Sequence, residues 1–388
     1  MGRHQLPVSS TITLRSLLGA LAPSVAGGAR VRRALEGELR GAFGASSVAL
    51  VDSGTSALAM AMRATTRAGG VVALPAYACV DIGAAAIFAR LRVRLYDVNP
   101  ATLSADLDSV SRVLAQGADT IVVSHLYGYP SDVPGVAALA ASHGVSVIED
   151  AAQAAWGTLL GRRLGSFGPL TVLSFGRGKV MTGGGGGALL GIGANVPGAL
   201  VTVNEQLASP ASSLRTLVVT SAQWALGRPS LYSIPSAIPA LHLGETIYHP
   251  AHDPRRISAA SASIARASLA RADADRAARR RHAEMLERAA QRATRLRLVK
   301  PIAGSEPGYL RFPVLLTDAR ADRGEPAQLG IVHGYPDTLA ELAQLRGSLL
   351  GDEKLEGARD LRHNLVTLPT HSLLDDDDLQ KLTNWMVD

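Results

Sequence analysis

Cysteine is nearly absent from this 388-residue chain, which contains a single one, Cys79. One thiol excludes an intramolecular disulfide and is typical of a protein that works in a reducing compartment. The N-terminus lacks the unbroken apolar stretch of a secretory signal, because Arg15 interrupts the run between Leu14 and Leu17. No uncharged apolar run approaches the roughly 20 residues that a membrane span needs. We therefore expect a cytoplasmic protein without a membrane partner.

Aromatic residues are also scarce, at 4% of the chain, although the formal net charge is +6. Much of the positive charge falls in the segment 266–297, which contains the run Arg279, Arg280 and Arg281 but no Phe, Trp or Tyr. Such a segment offers no platform on which bases could stack. Acidic and apolar residues are interleaved with the arginines, as on an ordinary amphipathic helix. The composition therefore argues against a nucleic-acid partner.

Short β-branched runs alternate with alanine-rich helical stretches over the first part of the chain. Hydrophobic residues make up 47% of the whole chain. This alternation predicts βαβ units and an α/β fold with a mostly parallel central sheet and helices on both faces. Ligands are then expected at the carboxyl ends of the strands. The predicted strands are 48–51, 71–74, 93–96, 120–124 and 145–148, and the predicted helices are 56–67, 80–90, 105–116 and 133–143.

The character of the sequence changes near Gly244. We expect a large α/β domain at 1–244, with an irregular N-terminal lead-in, and a small α+β domain at 245–388. A run of four aspartates at 375–378 precedes the last predicted helix, where negative charge is favourable, so we interpret it as a helix cap and predict no metal site. The other elements predicted in this part are a long helix at about 256–292, a strand within 309–316 and a helix near 337–348.

The most distinctive segment begins at Ser174, the end of a β-rich run, and leads into five glycines at 183–187. Lys179 stands among small residues that let backbone and ligand approach closely. A phosphate-binding P-loop is excluded by spacing, because it needs glycine at 173 and serine or threonine at 180, where this chain has leucine and valine. Two interpretations remain, a solvated loop lysine or a lysine that forms a Schiff base with an aldehyde.

Small hydroxyl residues follow the first predicted strand, at Gly54, Thr55 and Ser56. Backbone N–H groups, hydroxyls and the positive end of a helix dipole together suit a phosphate. Plain N-capping of the helix by Ser53 or Thr55 is the alternative interpretation.

Asp150 follows the fifth predicted strand, and Gln153 stands three residues on. A carboxylate there can keep a pyridine nitrogen protonated, and the amide can hydrogen-bond a ring hydroxyl. The alternative is a capping box in which Asp150 is the N-cap. A phosphate loop, a pyridinium carboxylate and a Schiff-base lysine on successive strand ends are the anchors of a pyridoxal phosphate site.

At these residues the chain resembles the DegT–StrS family of fold-type-I aminotransferases, which act largely on nucleotide-linked keto sugars. The resemblance covers about residues 5–385 and is strongest between 48 and 190. The matching segments are 53–58, 75–79, 96–100, 125–128, 149–154, 174–179, 244–250 and 368–371.

The resemblance implies a pyridoxal 5′-phosphate cofactor, an amino-acid donor and a keto acceptor, such as a nucleotide-linked keto sugar in glycan or natural-product biosynthesis. By similarity, Lys179 carries the cofactor, Asp150 pairs with its pyridine nitrogen and Gln153 faces its ring hydroxyl. It also implies a homodimer in which each site borrows residues from the neighbouring subunit. The implied phosphate ligands are Gly54, Thr55, Ser56 and Ser174.

Two positions depart from the family pattern. Cys79 stands where the family often has an aromatic residue that stacks on the cofactor ring. Pro254 stands where the family commonly has an asparagine that reaches the partner subunit's phosphate, and we expect Arg255 or Arg256 to substitute for it.

His125 and Tyr127 follow the fourth predicted strand, where they either touch cofactor or substrate or belong to the core. Two other functions remain open from the sequence. One is a different pyridoxal-phosphate reaction on an amino acid, such as lyase or condensation chemistry. The other is a non-catalytic binding or regulatory protein that keeps the fold, although the intact lysine and anchoring motifs count against it.

Overall fold

The computed structural model describes residues 3–154, 156–193, 207–238, 246–317, 326–351 and 353–387. Among these residues, no helix is both long and apolar enough to cross a bilayer. The first nine strands are β1 (Ala45–Val51), β2 (Val71–Pro75), β3 (Arg92–Tyr96), β4 (Thr120–Ser124), β5 (Ser146–Asp150), β6 (Thr158–Leu159), β7 (Arg162–Arg163), β8 (Leu170–Ser174) and β9 (Gly187–Ile192).

Seven of these strands form the central sheet, in the order β1-β9-β8-β5-β4-β2-β3. Strand β9 runs antiparallel to both of its neighbours, and the other pairings are parallel. The prediction of a mostly parallel sheet is confirmed. Successive strand residues pack into opposite layers, since Val72 and Leu74 join one apolar cluster and Ala73 joins another. A strand buried on both faces is mostly apolar, which is why these strands could be predicted from the sequence.

The helices cover both faces of the sheet and continue into the C-terminal part. Gly44 is the C-cap of helix α3 (Gly28–Phe43), and its φ of 65° is the left-handed conformation that suits a glycine there. The helices are α1 (Leu14–Gly19), α2 (Leu21–Val25), α3 (Gly28–Phe43), α4 (Gly54–Thr65), α5 (Val80–Phe88), α6 (Leu107–Ala115), α7 (Val133–Ser142), α8 (Ser213–Leu226), α9 (Ser233–Ser236), α10 (Ala259–Leu269), α11 (Ala272–Ala290), α12 (Glu356–Asn364) and α13 (Asp376–Val387).

A second, four-stranded sheet lies in the C-terminal part, with the order β10-β12-β14-β13 and antiparallel pairing throughout. Helices α11 and α13 bury Leu286, Leu382 and Met386 with apolar residues of this sheet in a separate core. The remaining strands are β10 (Leu296–Leu298), β11 (Ser305–Glu306), β12 (Phe312–Leu316), β13 (Val332–His333) and β14 (Leu365–Leu368).

Three predictions for the C-terminal part need correction or comment. The long helix at 256–292 is two helices, α10 and α11, that break at Ala270 and Arg271. The break is needed because Ala262 of α10 packs in the core beside α3, whereas Leu286 of α11 packs on the small sheet. The prediction of a helix near 337–348 is wrong, since these residues form turns and one short 3₁₀ segment, Ala343–Leu345. Gly244, the predicted domain boundary, lies outside the described residues.

The acidic run caps the last helix, as predicted. Asp375 Oδ1 accepts the N–H of Asp378 at 3.0 Å, and Asp378 Oδ2 accepts the N–H of Asp375 at 3.1 Å. Arg3 donates to Asp378 Oδ2 at 2.8 Å, which brings the N-terminal segment to this helix.

The segment 3–10 runs from the C-terminal part of the chain to the loop that follows β8 of the central sheet. Leu6 O accepts a hydrogen bond from His371 Nε2 at 2.9 Å, and Ser9 O accepts one from Arg279 Nη2 at 2.6 Å. At the far end, Ser10 reaches the loop that follows β8. These hydrogen bonds connect the segment 3–10 to the C-terminal part of the chain and to the loop after β8.

Candidate active site

A cavity of about 280 Å³ opens at the carboxyl ends of β1, β4, β5 and β8. Parallel strands present their carboxyl ends at one edge, which is where the sequence predicted a ligand. The structure brings together at this cavity eight of the predicted site residues, namely Gly54, Thr55, Cys79, His125, Asp150, Gln153, Ser174 and Lys179.

Gly54 and Ser174 form a tight cradle at the start of α4. A Cβ added to Gly54 would come within 2.9 Å of the Cβ of Ser174, so only glycine allows this approach. Ser53 caps the helix by accepting the N–H of Ser56 at 2.9 Å. The first N–H groups of a helix have no intrahelical partners, and Gly54 and Thr55, the first two residues of α4, line the cavity. The capping interpretation and the anion-binding interpretation therefore hold together.

Ser56 is turned away from the cavity. Its hydroxyl donates to Asp52 Oδ1 at 2.7 Å and accepts from Ser53 Oγ at 2.8 Å. Its side chain is also buried, with 2% exposed. The predicted phosphate ligand Ser56 therefore supports the loop from behind.

Asp150 lies at the end of β5 with its carboxylate buried against the cavity. Oδ2 accepts a hydrogen bond from Ser124 Oγ at 3.2 Å, and Oδ1 accepts one from the N–H of Ala152 at 3.0 Å. Burial raises the pKa of Asp150, and the nearby charge of Lys179 opposes that rise. The described residues after Asp150 form turns, and no capping box is made. A desolvated carboxylate with lone pairs to spare suits a protonated ring nitrogen.

Gln153 is held by two tyrosines rather than by a helix. Its Oε1 accepts the N–H of Tyr127 at 3.1 Å, and its Nε2 donates to the hydroxyl of Tyr335 at 2.5 Å. The N–H of Tyr335 donates in turn to the hydroxyl of Tyr77 at 2.7 Å. One N–H of the Gln153 amide remains for a ligand.

The aromatic wall, defined here as Tyr77, Tyr127 and Tyr335, closes one side of the cavity. Tyr127 and Tyr335 stack with ring centroids 5.7 Å apart, and Tyr77 tilts against Tyr335 at 5.3 Å. Tyr335 lines the cavity, whereas Tyr127 lies behind it. Burial raises the pKa of Tyr127 to about 12, so this phenol stays protonated at neutral pH. Of the three wall residues, Tyr335 is the one whose side chain lines the cavity together with Cys79.

His125 lines the cavity, but both of its ring nitrogens have hydrogen-bond partners within the protein. Its Nδ1 accepts the N–H of Ser131 at 3.0 Å, so Nε2 carries the proton and donates to Glu149 Oε1 at 3.0 Å. Glu149 also accepts N–H groups of Gly165 and Gly168, at 2.6 and 2.9 Å. Burial raises the pKa of Glu149, but these hydrogen bonds outweigh it and the pKa is lowered.

Lys179 stands in the loop after β8, between Asp150 on one side and the N-terminal segment on the other. Its main-chain carbonyl accepts the hydroxyl of Ser10 at 2.6 Å. Gly178 has a φ of 73°, and a Cβ there would meet Val8 at 2.9 Å. The loop is therefore shaped by glycine and anchored by Ser10, while the side chain of Lys179 lines the cavity.

Arg255 and Arg256 do not line the cavity. Their backbone pairs beside the end of β1, where Arg255 O accepts the N–H of Asp52 at 3.0 Å. Arg255 is exposed, and the charge of Arg256 acts on Arg32 and Glu36 of α3. The segment thus supports the loop after β1 through its backbone, and neither arginine lines the cavity of its own subunit.

The residues present fit pyridoxal phosphate. A glycine cradle at a helix start, a buried carboxylate and a lysine amine surround one cavity large enough for a small heterocycle. No group of His, Cys, Asp and Glu among the described residues has the geometry of a metal site.

Residues 24–387 match the DegT/DnrJ/EryC1/StrS aminotransferase family, and the chain belongs to it. One relative is a UDP-N-acetyl-3-dehydro-α-D-glucosamine 3-aminotransferase of Acidithiobacillus ferrooxidans, 33% identical over 41% of this chain and 43% of that protein. Another is an L-glutamine:2-deoxy-scyllo-inosose aminotransferase of Streptoalloteichus tenebrarius, 28% identical over 69% of this chain and 58% of that protein. The chain thus spans roughly half the length of these two relatives.

Solved structures show the same fold over nearly the whole chain. The aminotransferase TlmJ from Streptoalloteichus hindustanus superposes with a TM-score of 0.77 at 22% identity, covering 98% of this chain and 97% of that one. The sugar aminotransferase CalS13 from Micromonospora echinospora gives a TM-score of 0.73 at 20% identity, with 97% of each chain covered. The predicted fold and the predicted family are confirmed.

Sequence reasoning missed Tyr335 and Arg177 as residues of the cavity. Arg177 lies in the segment 174–179, two residues before Lys179, so its place in the sequence could have indicated that it lines the cavity. Tyr335 lies 182 residues from its partner Gln153, and no local pattern marks it.

Proposed function

We propose that this protein is a pyridoxal-phosphate-dependent aminotransferase that moves an amino group from an amino-acid donor to a keto acceptor. The observation that carries the proposal is the convergence of Lys179, Asp150 and the Gly54 cradle on one cavity. When bound, the cofactor supplies an electron sink for charge that develops at the donor's α-carbon. The names of the relatives support a keto sugar or keto cyclitol as acceptor.

Each anchoring residue has a separate task in this proposal. The N–H groups of Gly54 and Thr55 and the hydroxyl of Ser174 would hold the phosphate. Asp150 would accept a hydrogen bond from the protonated ring nitrogen, and Gln153 would donate its remaining N–H to the ring hydroxyl. Lys179 would bind the cofactor covalently and, once released, its Nζ would take the proton from the donor's α-carbon.

The working unit in this proposal is a homodimer. Large apolar side chains are exposed on α1, α2, α8 and α9, with Leu214 72% and Val218 61% exposed. The others are Leu18, Leu21 and Ile234. Such a surface is typical of a subunit interface. Arg255 and Arg256, which do not line their own cavity, would contribute to the partner's site. We also propose the division into domains at residues 1–244 and 245–388.

The test is amino transfer with purified, cofactor-loaded protein. L-glutamate or L-glutamine is supplied as donor, and 2-deoxy-scyllo-inosose and a nucleotide-linked 3-keto sugar are supplied as acceptors. The expected result is an aminated acceptor, detected by mass spectrometry, that does not form with Lys179→Ala. A carboxyl-loss or elimination product from the donor, with no aminated acceptor, would instead favour another pyridoxal-phosphate reaction.

A further inference from the structure

Tyr335 is held at the cavity by a closely packed loop of the C-terminal part. Its own N–H donates to the Tyr77 hydroxyl at 2.7 Å. A Cβ added to the preceding residue, Gly334, would overlap that hydroxyl, so only glycine allows this approach. Four residues after Tyr335, Leu339 donates its N–H to Ala76 O at 2.8 Å. Contacts on both sides of Tyr335 therefore hold the loop from which its side chain reaches the cavity.

The orientation of the Gln153 amide decides what the Tyr335 hydroxyl can do. A backbone N–H can only donate, so the amide atom that accepts the N–H of Tyr127 at 3.1 Å must be Oε1. The other amide atom, Nε2, then faces the Tyr335 oxygen at 2.5 Å. Because an amide nitrogen donates and does not accept, the Tyr335 oxygen is the acceptor of this bond. The hydroxyl proton of Tyr335 therefore points in another direction.

The proton of the Tyr335 hydroxyl has no acceptor in the part of the chain that the structure describes. The residue is only 7% exposed, and it lines the cavity. Burial raises the pKa of Tyr335 well above its usual value, so the phenol stays protonated at neutral pH. A buried donor without an acceptor is unfavourable, and a ligand oxygen in the cavity would supply the missing acceptor.

The charge near the phenol favours a neutral ligand oxygen over a carboxylate. Burial is the main cause of the raised pKa of Tyr335, and the charge of Asp150, which lines the same cavity, contributes to it. Asp150 acts in this direction because it disfavours a second negative charge nearby. The carboxylate of an amino donor would meet the same repulsion. A keto or hydroxyl oxygen is uncharged and can accept the proton of a phenol without that repulsion.

We propose that the hydroxyl of Tyr335 donates a hydrogen bond to a neutral oxygen, keto or hydroxyl, of the acceptor and so helps to determine which acceptors bind. The inference rests on the proposed function, because it takes a keto acceptor to enter this cavity. It leaves the remaining N–H of Gln153 for the cofactor's ring hydroxyl. It also gives the C-terminal part of the chain a direct contact with the substrate.

The test measures acceptor binding to the cofactor-loaded protein without an amino donor, so that no amino transfer occurs. Calorimetry is carried out with 2-deoxy-scyllo-inosose and with a nucleotide-linked 3-keto sugar. In Tyr335→Phe the ring and its stacking remain, and only the hydroxyl is lost. The affinity for whichever acceptor binds the wild-type protein should fall about three- to tenfold, the value of one hydrogen bond between uncharged groups.

Two controls separate the hydroxyl from the rest of the wall and the acceptor from the donor. Tyr127→Phe is the matched variant, because Tyr127 stacks on Tyr335 but does not line the cavity. It should bind the acceptor as wild type does. Glutarate, which has the two carboxylates of a donor amino acid but no amino group, should bind equally to wild type and Tyr335→Phe. The absorbance of the bound cofactor should also be the same in both.

The inference is overturned if neither acceptor binds the wild-type protein, or if Tyr335→Phe binds the acceptor as tightly as wild type. It is also overturned if Tyr127→Phe loses as much affinity, or if Tyr335→Phe loses its cofactor. Weaker glutarate binding with unchanged acceptor binding would assign the hydroxyl to the amino donor and overturn it as well. Acceptor binding that depends on Tyr335, without amino transfer from L-glutamate or L-glutamine, would defeat the proposed function and leave this inference standing.

Discussion

The hydroxyl of Ser10 donates a hydrogen bond to the main-chain carbonyl of Lys179 at 2.6 Å, across 169 residues of sequence. The segment that carries Ser10 is itself held by Arg279 and His371 of the C-terminal part. The position of the lysine loop thus depends on a contact between the two ends of the chain.

Ser10→Ala should loosen the lysine loop. Loss of one partly buried hydrogen bond is expected to cost about 1 kcal/mol of unfolding free energy. Because the loop carries Lys179, the variant should also release the cofactor faster, which dialysis and absorbance measure. Ser9→Ala is the matched control, since Ser9 contacts Arg279 through its main-chain carbonyl alone. Equal cofactor release from the two variants would show that the Ser10 contact does not position the loop.

Replacement of Asp150 should have opposite effects on function and on stability. Asp150→Ala is expected to stay folded and to lose amino transfer by several orders of magnitude, because the ring nitrogen is no longer held protonated. Near-normal turnover with bound cofactor would limit Asp150 to a structural role.

The raised pKa of Asp150 predicts the stability change. In the cofactor-free protein the folded state holds this proton more tightly than the unfolded state, so stability falls as pH rises from the unfolded pKa through the folded one. Asp150→Asn cannot ionise and should make the cofactor-free protein more stable than wild type at neutral pH. The difference should vanish in acid, below the unfolded pKa. Denaturant titration at several pH values checks this, and a less stable variant at neutral pH would refute it.

Glu149 should be a source of acid lability. Its pKa is lowered on folding, so its contribution to stability is present above the unfolded pKa and is lost as pH falls through the folded value. Glu149→Gln should cost about 3 kcal/mol at neutral pH, because buried donors lose a charged acceptor, and less in acid. Glu341→Gln is the control, because the Glu341 side chain is 40% exposed and its ion pair is worth less than about 1 kcal/mol. Equal losses in the two variants would contradict the assignment.

Strand positions were predictable because their signal is local. A parallel strand such as β4 (Thr120–Ser124) is buried along its whole length and apolar at its three central positions, and Ser53 and Asp375 mark helix starts through bonds to residues three positions away. The positions of Asp150 and Lys179 at the cavity were predictable because each follows the end of a strand. Their segments, 149–154 and 174–179, also resemble those of a known family.

Contacts between distant segments were not predictable in this way. The wall residue Tyr335 is fixed by Gln153 and Tyr77, which lie 182 and 258 residues away. The break between α10 and α11 depends on which core each helix faces, and its sequence carries no glycine or proline to announce it. Tertiary packing decided both features.

Dimer formation should depend on the exposed apolar face of α8. Leu214→Glu combined with Val218→Glu places two charges on that face and should convert a dimer into monomers, as light scattering measures. Both positions are exposed in one subunit, so the fold itself should be unaffected. Wild-type protein that is a fully active monomer would exclude the shared-site proposal.

Subunit mixing tests the role of Arg255 and Arg256. A Lys179→Ala subunit combined with an Arg255→Ala, Arg256→Ala subunit should regain activity, because one site of the mixed C₂ dimer has both parts intact. Each variant alone should be inactive or weak. Activity no greater than the sum of the separate variants would place the two arginines outside the partner's site.

The most direct test of the central claim is the covalent link to Lys179. The chain contains four lysines, Lys179, Lys300, Lys354 and Lys381, so reduction of the cofactor-loaded protein with borohydride, digestion and mass spectrometry give an unambiguous assignment. The account predicts a yellow protein whose label falls on the peptide that contains Lys179 and is absent from Lys179→Ala. A label confined to any of the other three lysines, or full labelling of Lys179→Ala, would contradict it.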